Sequence, residues 1–265
     1  MGAVLSWKNW AEQSGASLTV SSEATGLGPR GMLTPQVQNY WRSGNWKQFT
    51  NAVIDLDFGV SRAIKVIAFA APRDGALPPS GATVAIRASV SSQSGTDALN
   101  LGAGSFTLNP WGVWGWRSAT GITARYVRLT FESPVPPLSP ENSYLQLGRL
   151  WVGDGLITTD SYAYGHSRSF RDPGLSSRAG LTGVRYATRG LPYRVERIAF
   201  PILTESEASS IITAASEVGT TGQVFFAREE AYLGEGLFGQ FSDVPVVNRE
   251  LEDLWTTDFQ IEEDN

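Results

Sequence analysis

Period-two alternation governs the first half of the chain. In "NAVIDLDFG", Ile54, Leu56 and Phe58 fall on one face, and Asp55 and Asp57 on the other, which predicts a half-buried strand. The next segment, "AIKVIAFAAP", is apolar on both faces and predicts a central strand. "TVAIRASVS" alternates again, with Val84, Ile86, Ala88 and Val90 together, and "RYVRLTFES" sets Val127, Leu129 and Phe131 against Tyr126, Arg128 and Thr130. "YLQLGRLWVG" follows the proline-rich loop "SPVPPLSP". Turn clusters such as "PRDGALPPSG" and "SSQSGTD" separate these runs. Short strands so punctuated, with no helical period among them, predict a β-sandwich over residues 1–153.

The pattern changes after Gly153. "GDGLITTDSYAYGHSRSF" is small, polar and rich in tyrosine, and an arginine-rich stretch of weak periodicity follows it. "YRVERIAFPIL" predicts a strand, and "TESEASSIITAASEVG" predicts one helix near 204–218. Thr204 and Glu207 form a capping box at its start, each side chain meeting a free backbone N–H; Gly219 marks its end. "TGQVFFARE" and "LWTTDFQIEE" return to strand, the latter with Trp255, Thr257, Phe259 and Ile261 on one face. The expectation is therefore a mainly β chain of two domains, 1–153 and 155–265. No internal repeat is visible.

Charge refines this. The formal net charge is −5 and the pI about 5.0, which argues against a nucleic-acid surface covering the protein. The distribution is uneven: seven arginines lie between His166 and Arg197 against Asp172 and Glu196, whereas Arg249 is the one base from Glu229 onward. The arginine stretch has little apolar periodicity, so the reading is a basic arm that does not bury itself in its own domain. Arg185 and Arg189 are its candidate inter-protomer charges, with Glu250 and Asp253 as their acidic counterparts. Pairing of such arginines with acids of the same protomer is the equal alternative. Cysteine is absent, so no disulfide or thiolate metal site is expected. "MGAVLSWKNWAEQ" lacks the basic start and apolar stretch of a signal peptide, no apolar run reaches the length of a spanning helix, and the expected place of folding is the host cytoplasm. Met1, Gly2 and Ser6 fit the short myristoylation pattern, which chance explains.

Candidate chemistry is sparse. Gly26 to Gly31 reads G-x-G-x-x-G, but a dinucleotide site needs a strand before it and a helix after it, and Pro29 and Pro35 oppose a helix; a glycine loop is the reading. Asp55 and Asp57 share a strand face and form a weak calcium candidate, since calcium takes oxygen ligands; a solvated face is the commoner meaning. His166 is the single histidine, too few for zinc without carboxylates, and no G-x-S-x-G elbow accompanies it. No catalysis, cofactor or metal is expected. Trp46 and the cluster of Trp111, Trp114 and Trp116 remain as glycan or interface aromatics, because exposed indoles stack on sugars or anchor protein contacts, whereas buried ones are core. Core or interface is favoured.

The succession "NYWRSGNW", "AVIDLDFG", "IKVIAFAA", "ARYVRLTFES" and "YLQLGRLWVG" resembles the galactose-binding-like, or discoidin-type, jelly-roll. The resemblance implies that Trp41 closes the sandwich, that Arg42 braces its loops, and that Trp46 lies nearer the surface. With the tyrosine-glycine segment, the strand-helix unit and the acidic final strand, the whole order is similar to minor tail proteins at the distal end of the tail tube of long-tailed noncontractile bacteriophages. That implies a C-terminal, tail-tube-like β domain forming a homo-oligomeric ring in the virion tail tip, beside tail tube, tape measure and hub proteins, with the sandwich displayed outside. The arginine stretch 168–197 departs from typical members. The alternative is a carbohydrate-binding module that recognises a host-surface saccharide. Neither reading involves nucleic acid or a membrane anchor.

Overall fold

The computed structural model describes residues 2–44, 51–72, 78, 81–92, 99–105, 112–132, 144–160, 166–178, 185–188, 190–228 and 230–264. In chain order the strands are β1 (Val4–Asn9), β2 (Ser17–Val20), β3 (Trp41–Arg42), β4 (Ala52–Ala70), β5 (Thr83–Ser89), β6 (Leu99–Ser105), β7 (Val113–Glu132), β8 (Gln146–Leu147) and β9 (Arg149–Ile157). There follow β10 (Ser167–Arg171), β11 (Leu175–Arg178), β12 (Arg185–Thr188), β13 (Tyr193–Leu203), the helix α1 (Glu205–Val218), β14 (Val224–Ala227), β15 (Leu237–Phe241), β16 (Val246–Leu251) and β17 (Leu254–Glu263). Among the described residues the architecture is mainly β with one α-helix, and its first half resembles a β-sandwich.

The sandwich is organised by two long strands. β4 and β7 pair along nearly their whole length, Ala52 opposite Phe131 at one end and Ala70 opposite Val113 at the other. Between Asp57 and Arg62 the register slips, and Gly59 there adopts φ +75°, a conformation L side chains rarely take. The ladder is interrupted at that point, and residues from both of its ends, Ile54 and Leu129 at one and Ile67 and Phe69 at the other, line one core. β2 and β5 extend one wall and β9 the other. Ile54, Leu56 and Phe58 point into this core with Ile67, Phe69, Leu129 and Trp41. Trp41 is fully buried and β3 pairs with β8, which closes the sandwich as the jelly-roll resemblance implies. Arg42 stacks on Tyr144 at 3.6 Å, and its backbone bonds Ala24 and Leu27.

The doubly apolar character of the second half of β4 has a specific cause. Ile67 and Phe69 face the sandwich core, while Val66, Ala68 and Ala70 face a second cluster with Trp151, Phe225, Leu233 and Phe238. That second cluster joins the two halves of the chain. β1 lies between β9 and β14, antiparallel to both: Val4 is opposite Ile157 on one side and Ala227 on the other. The sheet therefore continues through residue 154, in the order β10-β13-β17-β15-β14-β1-β9-β4-β7-β5-β6. Beyond β1, the helix lays Ile211 and Ala214 on Ile198, Phe226, Phe259 and Ile261. Its capping box is formed as the sequence predicts, by Thr204 and Glu207, and Gly219 ends it at φ +55°. β11 and β12 make a separate hairpin outside the large sheet.

Candidate functional site

The loop between β2 and β3 builds the most evident site. Gly26, at φ +81°, turns the chain, and Pro29 opens a 3-10 turn over Pro29–Leu33, where its fixed φ suits a first helical position. No α-helix follows the glycine loop, in keeping with the reading against a dinucleotide site. Thr34 ends the turn, its hydroxyl donating to the carbonyls of Gly31 (3.0 Å) and Gln36 (3.3 Å). Gly31 is required: a Cβ there would stand 2.9 Å from the Tyr40 backbone. Met32 plugs the loop into the sandwich core and Val37 into the cluster between the halves. What remains above is an open cavity of about 620 Å3, lined by Leu18, Leu27 and Pro29 and by Arg30, Thr34, Gln38, Asn39 and Tyr40. Among the described residues no carboxylate lines it.

Beneath the loop sits a buried cation. The Arg149 side chain is 1% exposed and ion-paired with Glu12. Its Nε donates to Gln223 Oε1 at 2.7 Å and an NH group donates to the Met32 carbonyl at 3.4 Å. Burial pushes the guanidinium pKa down, against the pull of Glu12 and Asp264. Gln223 in turn donates to the Pro35 carbonyl (3.0 Å) and to Asp264 Oδ2 (2.6 Å). Burial raises the Asp264 pKa, opposed by the bond from Gln223 and the charge of Arg149.

A second cavity, of about 450 Å3, is lined by Tyr193, Gln240, Ser242, Glu262, Glu263 and Asp264 among others. Among the described residues no group of three or more His, Asp or Glu could hold a metal ion. Nor is any described helix long and apolar enough to cross a membrane.

The aspartate pair corrects the calcium expectation. Arg128 grips Asp55 with two bonds of 2.6 and 2.8 Å, and Arg125 grips Asp57 with two of 2.8 and 3.0 Å. Both carboxylates are spent on guanidinium groups across the β4–β7 ladder, which leaves neither placed to serve a cation. Arg125 holds the Asp57 carboxyl below its usual pKa, against a smaller opposing effect of burial. Trp114 and Trp116 lie half-buried on the sandwich core, the Trp114 ring stacked on Phe69 at 5.1 Å. Trp46 and Trp111 fall outside the described residues. His166 sits beside Arg228, 3.2 Å from its guanidinium.

Much of the arginine stretch is matched within its own protomer, the alternative that the sequence left open, and its burial corrects the expectation of an arm standing clear of its own domain. Arg168 pairs with Glu196 and Glu235, Arg171 with Glu262, Arg194 with Glu263, and Arg197 with Asp258. Arg194 is buried. The reason is register: β13 runs between β10 and β17, so the basic and acidic segments are sheet neighbours. Arg185 lies in β12 opposite Arg178, Arg189 is outside the described residues, and Glu250 and Asp253 are exposed.

No known protein family matches the sequence, and no curated protein does. Solved structures are similar in shape. A GH29 fucosidase of Ruminococcus gnavus in complex with fucose aligns at a TM-score of 0.46 and 20% identity, over 56% of this chain and 27% of the fucosidase; the chain thus spans about a quarter of that protein. The family 32 carbohydrate-binding module of C. perfringens NanJ, in complex with galactose, aligns at 0.45 and 15% identity, over 57% of this chain and 99% of the module. Another C. perfringens module, in complex with GalNAc-β-1,3-galactose, aligns at 0.41 and 16%, over 54% and 98%.

Sequence reasoning missed the cavity loop. "NYWRSGNW" gives roles to Trp41 and Arg42 and none to its neighbours, although Gln38, Asn39 and Tyr40 stand together at the end of a glycine- and proline-rich loop, and that combination is a usable signal. Arg149 also left a trace, as a lone charge inside the apolar run "LQLGRLWVG". Gln223 left none.

Proposed function

We propose that the N-terminal sandwich is a saccharide-binding unit and that the β2–β3 loop cavity is its site. One observation carries this: the cavity combines an aromatic ring with planar, multivalent hydrogen-bonding groups on a rigid β support. A sugar presents an apolar C–H face that an aromatic ring such as Tyr40 covers, and hydroxyls that both donate and accept. Carboxamides of Gln38 and Asn39 do the same in return, and Arg30 donates from a planar fork. No chemistry is catalysed in this reading. The ligands of the similar solved structures name the first probes. Galactose, fucose and GalNAc-β-1,3-galactose, followed by a wide glycan array, are titrated calorimetrically. The expected affinity is in the millimolar class, on the order of −4 kcal/mol, and it is lost in Tyr40→Ala and Asn39→Ala without loss of folding. Binding that survives both changes, or no binding across the array, would refute the site.

A second reading concerns what the C-terminal half does. The hairpin of β11 and β12 stands apart from the large sheet with Leu175 78% exposed, as an arm made for contact would. On this reading 155–265 is the tail-tube-like ring domain of a bacteriophage tail tip, the arm of one copy meets the next, and the sandwich is held outside to touch the host surface. Arg185 and Arg189 then face Glu250 and Asp253 of the neighbouring copy, a head-to-tail arrangement that closes a ring. Single exposed pairs are worth about 0–1 kcal/mol, so apolar contacts must contribute. Reversing Arg185 and Arg189 to Glu is expected to leave a folded protomer and to reduce oligomer formation in analytical ultracentrifugation, and salt is expected to weaken assembly of the unaltered protein. Salt-independent assembly of the doubly reversed chain would count against the arm.

A further inference from the structure

We infer that Gln223, in the C-terminal half, is a positioning residue for the loop that forms the cavity in the N-terminal half. Its significance for ligand binding rests on the saccharide reading above. The cavity wall from Arg30 to Tyr40 packs on the cores through Met32, Leu33 and Val37. Two of its backbone carbonyls are held from below: that of Met32 in a buried bond and that of Pro35 in an exposed one. Arg149 serves the first and Gln223 the second. Pro35 has no N–H and a fixed φ, so its carbonyl is the group by which this stretch can be held. Gln223 itself has no freedom: its oxygen accepts from Arg149 Nε and its nitrogen is shared between Pro35 and Asp264. Arg149 is locked by Glu12. Ordering of the loop is thereby tied to the start of β14 and the end of β17. A ligand-ready loop that is populated only in part weakens apparent affinity by that fraction.

The test releases the Pro35 carbonyl. In the double variant Gln223→Glu with Asp264→Asn, net charge is unchanged. The side chain at 223 still offers an acceptor to Arg149, and the hydrogen bond between 223 and 264 persists with its direction reversed. The donor to Pro35 is lost, and a carboxylate oxygen that the Pro35 carbonyl repels takes its place. Hydrogen exchange is read at the amides of Gly31, Thr34 and Asn39, which bond within the loop, with amides of β4 and β7 as the internal standard. The expected result is faster exchange at the three loop amides, unchanged exchange in β4 and β7, and about fivefold or greater weakening of galactose binding. Loop exchange equal to that of the unaltered protein would overturn the inference. So would galactose affinity that is unchanged despite a loosened loop. If the unaltered protein binds neither galactose nor any array sugar, the saccharide reading falls, and loop exchange alone then decides whether Gln223 holds the loop.

Discussion

At the residue scale, the two aspartates of β4 show how a cross-strand neighbour decides what a carboxylate does. Asp55 is opposite Arg128 in the ladder, and Asp57 lies one position from its partner, Arg125. The sequence displays all four residues, but it carries no register, and without register an acidic strand face reads equally as a cation site or as a solvated surface. Asp57 permits a signed prediction. Its folded pKa is lowered, chiefly by the hydrogen bonds from Arg125, so its contribution to stability is present above the unfolded value of about 4 and is lost as pH falls through the folded one. The Arg125 and Asp57 side chains are 38% and 25% exposed, and solvent screening holds the pair to about 0–1 kcal/mol. Asp57→Asn is therefore expected to lower the urea midpoint slightly at pH 7, and the gap to the unaltered protein should close near pH 3. A gap that widens on acidification would contradict this account.

At the element scale, legibility tracked local chemistry. The helix was readable to within a residue because Thr204, Glu207 and Gly219 are side-chain and backbone signals that act inside one segment. The first half of β4, β5 and the last third of β7 were readable because one face of each is covered and the other is largely polar; that "NAVIDLDFG" and "AIKVIAFAAP" form one strand, and that β7 begins at Val113, was not. β1 was not read as a strand: "VLSWKN" is too short and too evenly buried to alternate, since β9 and β14 flank it and cores lie on both of its faces. Nor were β10 to β12 legible, being largely exposed and held by register and ion pairs rather than by apolar periodicity. α1 offers a test of its docking. Burial pushes the Glu207 carboxyl pKa up, but the amides of Thr204 and Thr159 together hold it below its usual value. It accepts from Thr159 N at 2.6 Å and Thr204 N at 2.8 Å, so it both caps the helix and fastens the end of β9 to it. Thr204→Ala should cost about 1 kcal/mol, and Glu207→Ala about 1–3 kcal/mol, because the Thr159 amide is left without its acceptor. Equal losses in denaturant melts would mean that Glu207 serves the helix alone.

At the scale of the whole molecule, the cluster of Val4, Val66, Ala68, Trp151, Phe225 and Phe238 governs how separable the halves are. Residues 1–154 contain the complete sandwich core but lose the covering of one wall. We expect that fragment to unfold cooperatively, at a lower denaturant concentration than the full chain, and to self-associate as its concentration rises, because the stripped wall is a contiguous apolar face. Sedimentation and urea titration measure both. A non-cooperative fragment would show that the sandwich needs the other half to fold. Conversely, a fragment as stable as the full chain and monomeric throughout would make the junction incidental, and with it the long-range bracing of the cavity loop.

The place of β1 also has a consequence in time. It leaves the ribosome well ahead of both strands that flank it. Val4 meets Ile157 and Ala227, and at roughly 5–20 residues per second synthesis keeps it waiting for seconds to tens of seconds before either arrives. During that interval the nascent chain carries an unpaired apolar ribbon with two open edges. One edge can close when β9 emerges to complete the sandwich wall, but the other must wait for β14, so the seam between the halves is sewn last, on a strand made long before.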